Sequence, residues 1–168
     1  LTIDGGDFSL SAGNNQSDNL VINGSGTVKI NTGNKDDNIV INSGDDVEVN
    51  ASLGNNTITS NVSATITVGD GNNTISVNGD NSLINTGNGT NILNINAQGV
   101  TISQKTDSAN TINLTNKASV NLNVGSFGYF VENAASFTAS MQDNKVLFSG
   151  DNLNITSLYA QVNSVILN

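Results

Sequence analysis

Residues 54–58 read Gly54-Asn55-Asn56-Thr57-Ile58, and residues 71–75 read Gly71-Asn72-Asn73-Thr74-Ile75, the same five residue types 17 positions further on. A fixed period changes the whole fold assignment, so its extent decides the rest. Cutting the chain before Asn19, Asn38, Asn56, Asn73, Asn91 and Asn110 gives steps of 19, 18, 17, 18 and 19 residues. Ile30-Asn31-Thr32-Gly33 returns as Ile84-Asn85-Thr86-Gly87 after 54 residues, three units of 18.

Each unit divides into two halves of about nine residues, such as 38–46 and 47–55. In each half a short run alternates apolar and polar residues, and Gly, Asn and Asp follow. Alternation with period two, bounded by residues that tolerate positive φ, predicts a short strand and then a turn. Two strands and two turns make one coil. The fold expected is all-β: a right-handed parallel β-solenoid of about 18 residues and two strands per coil, the hand following from the usual crossover rule.

The inward set predicted for one sheet is Val21, Val40, Ile58, Ile75, Leu93 and Ile112. For the other it is Val28, Val47, Ile66, Val100 and Val120, with Ile30, Val49, Val68, Ile84, Ile102 and Leu122 completing the wall. This phase leaves Leu20, Ile22, Ile39 and Ile41 outside, as an apolar patch that is either a contact surface or a face covered by the rest of a parent protein or by a wider core at this end. A single coil cannot bury its own apolar face, so stability comes from neighbours. Seven coils, counting residues 1–18 as a degenerate first one, would stack to about 34 Å at strand spacing.

Residues 1–128 are expected to form the coils and residues 129–168 a C-terminal cap. The tail holds five of the seven aromatic residues, Tyr129, Phe130, Phe137, Phe148 and Tyr159, with Phe127 just before it. Terminal repeats are atypical because an open end exposes backbone edges. A hairpin turning at Asp143-Asn144 is expected there, and a truncated neighbouring domain is the alternative.

Composition narrows the function. The chain has 168 residues, no Pro, Cys, His, Trp or Arg, 5 Lys and 14 acidic residues, for a net charge of −9. Phosphate recognition needs clustered Lys or Arg, so no nucleic-acid partner is expected. No apolar run approaches a membrane span of roughly 18 residues, so no membrane insertion is expected. Without His, Cys or Arg the commonest base, thiol nucleophile and anion clamp are missing, and no catalytic residue is assigned. A carboxylate pair could serve glycoside chemistry, but aromatic platforms for sugars are absent from residues 9 to 126.

Asn accounts for 32 of the 168 residues. Equivalent residues of successive coils lie one above another, so Asn19, Asn38, Asn56, Asn73, Asn91 and Asn110 are expected to form a stacked structural ladder of amides. Outward Thr57, Thr59, Thr65, Thr67, Thr74 and Ser76 form interrupted hydroxyl rows, attributable to strand propensity or to an ice-binding surface.

Gly69-Asp70-Gly71-Asn72-Asn73-Thr74-Ile75 resembles the RTX nonapeptide of bacterial secreted proteins, over roughly residues 13 to 125. That resemblance implies calcium bound between coils by turn aspartates and an extracellular or bacterial cell-surface location. The chain departs from it by placing Asn56, Asn73, Asn91 and Asn110 where the metal-binding Asp should stand, and neutral Asn holds a hard cation weakly. Carboxylates in register survive at Asp18, Asp36 and Asp37, the candidate Ca²⁺ ligands, with a lesser cluster at Asp45 and Asp46.

The reading that follows is a non-enzymatic structural or adhesive module meeting a protein or glycan on a cell surface. A calcium-responsive RTX-like module and a glycan-binding or glycan-processing solenoid are the alternatives.

Overall fold

The structure, a computed structural model, describes residues 1–105, 108–114, 120–124, 129–132, 138–142, 145–150 and 153–157, with side-chain environments for 1–105, 110–114 and 120. Strands follow one another along the chain as β1 (Thr2–Ile3), β2 (Phe8–Ser11), β3 (Asn19–Ile22), β4 (Thr27–Thr32), β5 (Asn38–Ile41), β6 (Asp46–Ala51), β7 (Thr57–Ser60), β8 (Thr65–Val68) and β9 (Thr74–Val77). They continue as β10 (Leu83–Thr86), β11 (Gly89–Ile95), β12 (Val100–Gln104), β13 (Ser108–Leu114), β14 (Val120–Val124), β15 (Tyr129–Glu132), β16 (Thr138–Gln142), β17 (Lys145–Gly150) and β18 (Leu153–Ser157). The described residues contain no helix.

Odd-numbered strands β1 to β15 form one parallel sheet, and even-numbered strands β2 to β14 form a second. From β1 to β13 each strand pairs with the strand two places on, never with its chain neighbour, so the backbone winds as a β-solenoid of about six coils. The register of the first sheet aligns Leu20, Ile39, Ile58, Ile75, Leu93 and Ile112. The steps are 19, 19, 17, 18 and 19 residues.

The core is a thin aliphatic column between the sheets. Ile22, Ile30, Ile39, Ile41, Ile58, Ile66, Ile75, Ile84, Ile102 and Ile112 are fully buried. Pleating turns alternate side chains inward, so each β strand gives two or three residues to the column and the rest to solvent.

Here the inward set is corrected. Val21 and Val40 align with outward Thr59 and Ser76, while Leu20, Ile22, Ile39 and Ile41 are buried. The expected outer apolar patch is therefore part of the core. The error is a slip of one residue, which flips every side chain of a strand to the other face. Matching Asn38-Ile39 to Asn56-Thr57-Ile58 by their asparagines forced the slip; the structure instead matches Ile39 to Ile58.

A second misplacement concerns Ile66, which is buried but stacks between Val49 and Ile84. Ala64 and Ser82 take the place between Val47 and Val100. Ser82 is admitted to the core because its hydroxyl donates to Gly79 O at 2.7 Å and accepts from Ala64 N at 3.1 Å. Val68 is buried in a third row with Ala51 and Thr86. Leu122 pairs with Ile102, but its side chain lies outside the described residues.

Beyond residue 128 the pattern changes. β15 still pairs in parallel with β13, and β18 with β14. β16, β17 and β18, however, form an antiparallel meander. Gln142 sits opposite Lys145, and the expected turn at Asp143-Asn144 between them, like Phe127, lies outside the described residues.

Candidate functional site

Four asparagines of the first sheet point inward, Asn56 and Asn73 just before β7 and β9, Asn91 and Asn110 within β11 and β13. Asn56, Asn73, Asn91 and Asn110 are each no more than 1% exposed. Asn56 Nδ2 donates to Asn73 Oδ1 at 3.0 Å, Asn73 Nδ2 to Asn91 Oδ1 at 2.9 Å, and Asn91 Nδ2 to Asn110 Oδ1 at 2.9 Å. At the last described rung, Asn110 Nδ2 donates to Gln104 Oε1 at 2.9 Å and Thr86 Oγ1 at 3.1 Å. Two of the ladder's acceptor oxygens also take a backbone N–H of the preceding coil: Asn56 N donates to Asn73 Oδ1 and Asn73 N to Asn91 Oδ1, both at 3.0 Å. Second amide protons reach turn carbonyls, Gly54 O from Asn56 and Gly71 O from Asn73. A buried amide that uses both donors and its acceptor costs little to desolvate.

Asn19 and Asn38 are not rungs of this ladder. They are exposed, open strands β3 and β5, and bond each other, Asn38 Nδ2 to Asn19 Oδ1 at 3.1 Å. The rungs in the first two coils are the preceding residues, Asp18 and Asp37. Asp18 N donates to Asp37 Oδ1 at 2.8 Å, and Asp37 N to Asn56 Oδ1 at 3.0 Å. The slip that misplaced Val40 also misplaced these two asparagines.

A second ladder runs on the outer surface after the first-sheet strands and was not anticipated. Asn96 Nδ2 donates to Asn78 Oδ1, Asn78 to Asn61, Asn61 to Asn42, Asn42 to Asn23, and Asn23 to Asp4 Oδ1, at 2.8 to 3.3 Å. Its signal was present: Ile22-Asn23, Ile41-Asn42, Val77-Asn78 and Ile95-Asn96 recur in the same phase as the strands.

The two ladders run in opposite directions. In the outer one every Nδ2 points toward the N-terminal coil, so the first rung only accepts, and the carboxylate of Asp4 suits it. In the inner one Asn56, Asn73 and Asn91 each point Nδ2 toward the C-terminal coil, so the first rungs should donate, which carboxylates cannot do when ionised. Asp37 is 2% exposed, and its Oδ2 and that of Asp18 are buried without a hydrogen-bond partner.

Of the three candidate metal ligands, Asp18 and Asp37 stack directly. Asp36 is exposed in a separate turn row, its Oδ1 accepting from Asn55 N at 2.7 Å, while Asn55 Oδ1 accepts from Asn72 N at 2.8 Å. Asp45 and Asp46 are exposed on the opposite edge. Among the described residues no group of three or more His, Cys, Asp or Glu side chains is placed to hold a metal ion. Asp18 Oδ2 and Asp37 Oδ2 are two buried oxygens without a hydrogen-bond partner, against the roughly six to eight ligands that a Ca²⁺ ion takes.

One further carboxylate is electrostatically distinct. Asp70 accepts from Asn88 N at 2.9 Å and Asn88 Nδ2 at 3.3 Å, with Lys105 Nζ at 3.6 Å. The Asn88 backbone N–H first, then the Asn88 side chain and Lys105, hold its carboxyl below the usual value. Nearby, a shallow groove on the second sheet is lined by Asn50, Ser52, Thr67, Asn85, Ser103 and Lys105.

Compared with protein-family models, with curated proteins and with solved structures, the chain matches none of them.

Proposed function

We propose that this chain is a non-enzymatic structural or adhesive module of a bacterial secreted or cell-surface protein: a stiff stack of coils that holds partners on its faces. In this reading residues 129–168 close the stack, consistent with the change from parallel to antiparallel pairing in β16 to β18. The observation that carries it is the use of the asparagines. Those of both ladders are committed to coil-to-coil hydrogen bonds, which makes them fabric of the rod. The whole sequence, moreover, has no His, Cys or Arg to supply the commonest catalytic groups.

The partner expected is a protein or glycan at a cell surface. Labelled chain should bind such surfaces saturably, and substitution of outward residues such as Thr59 and Thr65 should reduce binding without lowering the melting temperature. Turnover of any glycan in the same panel would overturn the non-enzymatic reading.

A second reading, a calcium-responsive module, is favoured by one specific observation, the buried Oδ2 atoms of Asp18 and Asp37. A cation there would join the first two coils only, because the later rungs are Asn. Isothermal titration with Ca²⁺ alone tests it: binding that disappears in Asp37→Asn supports the reading, and no heat in the unaltered chain ends it.

A further inference from the structure

The sequence contains three Asn-Gly pairs, Asn23-Gly24, Asn78-Gly79 and Asn88-Gly89. Glycine leaves its backbone nitrogen least hindered, so an asparagine before it is open to intramolecular attack, and Asn is a thermolabile residue in general. The fold treats the three pairs differently.

A Cβ built on Gly79 would overlap the Val62 carbonyl group, and one on Gly89 the Gly71 carbonyl oxygen. Both backbones are pressed against the coil below. Asn88 is further pinned to Asp70 through its own N–H and its Nδ2. At Gly24 the nearest atom to such a Cβ is Gly6 O at 3.5 Å, an ordinary contact. What lies beneath is the pair Gly5 and Gly6, around which nothing comes within 4 Å of a built Cβ. Asn23 is exposed and the Gly24 amide donates no hydrogen bond among the described residues, which is equally true of Asn78 and Gly79, so the packing beneath is what separates these two pairs.

From this contrast we propose that Asn23-Gly24 is a site of spontaneous deamidation, and that its modification loosens the first coil. The Gly24 nitrogen attacks Asn23 Cγ, the Cγ–Nδ2 bond breaks, ammonia leaves and a succinimide ring closes. Water then opens the ring at either carbonyl, leaving Asp or isoaspartate at position 23. No oxidant or reductant is needed.

The location gives the reaction its consequence. Asn23 Nδ2 donates to Asp4 Oδ1 at 2.8 Å, the outer ladder's last bond. After deamidation a carboxylate faces the Asp4 carboxylate, so attraction becomes like-charge repulsion. The bond from Asn42 Nδ2 to Asn23 Oδ1, at 2.8 Å, needs only an acceptor and survives in the Asp product. Damage is thus confined to the junction of β1 with β3, where Val21 N donates to Leu1 O and Asn23 N to Ile3 O.

The test is to age the full chain in warm, mildly alkaline buffer and map the mass gain of about one dalton, with isoaspartate detection, to individual peptides. Conversion at Asn23 should be several-fold faster than at Asn78 or Asn88. Gly24→Ala, which the 3.5 Å clearance accommodates, should suppress it with an unchanged melting temperature. In aged protein, and in Asn23→Asp, amide exchange at Val21 and Asn23 should accelerate while Val40 and Ile58 stay protected. Equal or faster conversion at Asn78 or Asn88, or undiminished conversion in Gly24→Ala, overturns the site. Full protection of Val21 in converted protein overturns the loosening.

Discussion

Asn73 Nδ2 lies 2.9 Å from Asn91 Oδ1 in the next coil, and both side chains are buried. The bond belongs to a chain of amides whose members share donors and acceptors, so removing one rung orphans two neighbours. Asn73→Ala should therefore cost about 1–3 kcal/mol, the usual penalty for leaving buried polar groups unpaired. Asn88→Ala should cost less, because water can replace its bond to the exposed Asp70. Chemical denaturation of the two variants checks this, and equal midpoints would contradict the ladder's role.

The polarity of the inner ladder makes a sharper prediction at its N-terminal end. Asp37 accepts from Asp18 N but has no Nδ2 to offer Asn56 Oδ1, and its Oδ2 is left unpartnered. Asp37→Asn restores the missing donor. In chelator-containing buffer it should stabilise the protein by about 1–3 kcal/mol, read as a rise in melting temperature. A lower melting temperature under those conditions would show that the carboxylate has a partner this geometry does not supply.

The register of β5 can be read from two adjacent residues. Ile39 is fully buried between Leu20 and Ile58, whereas Val40 faces outward beside Val21 and Thr59. Ile39→Ala should cost about 2–5 kcal/mol, as large-to-small core substitutions do. Val40→Thr should stay within about 0.5 kcal/mol, as surface substitutions do. The reverse order in thermal melts would put the strand in the register that its asparagines suggest.

That strand also shows what was legible in the sequence. The period, the two short strands per coil and the parallel stacking follow from alternation and turn residues, which are local signals. The phase in the first two coils does not, because Leu20-Val21-Ile22 and Ile39-Val40-Ile41 are apolar on both faces and either alternation reads as a core. Burial decides it, through stacking of Ile39 on Ile58 rather than of Asn38 on Asn56. The candidate site was legible to the same degree: Asn56, Asn73, Asn91 and Asn110 were placed by spacing, Asn19 and Asn38 were displaced by the slip, and the outer ladder was overlooked in the same phase. The opposite polarity of the ladders depends on side-chain rotation, which spacing does not encode.

Asp70 supplies a pH-dependent contribution. Its carboxyl is held below the ordinary value, chiefly by the Asn88 backbone N–H. A depressed folded-state pKa means stability that is present above the unfolded pKa and is lost as pH falls through the folded one. Asp70→Asn should thus melt slightly below the unaltered chain at neutral pH, with the difference closing in acid below the usual carboxylate range. A difference that widens on acidification would carry the wrong sign.

We propose that aliphatic stacking and amide ladders hold the coils together without a cation in each turn. The four Asn rungs have their hydrogen bonds made within the protein, and binding free energy becomes folding free energy only where ligands exist. The most direct test is thermal melting followed by circular dichroism during titration with a calcium chelator. The β spectrum at room temperature should stay unchanged, and the melting temperature should fall by a few degrees at most, through Asp18 and Asp37. Complete loss of the β spectrum on chelation, regained when Ca²⁺ is restored, would contradict it.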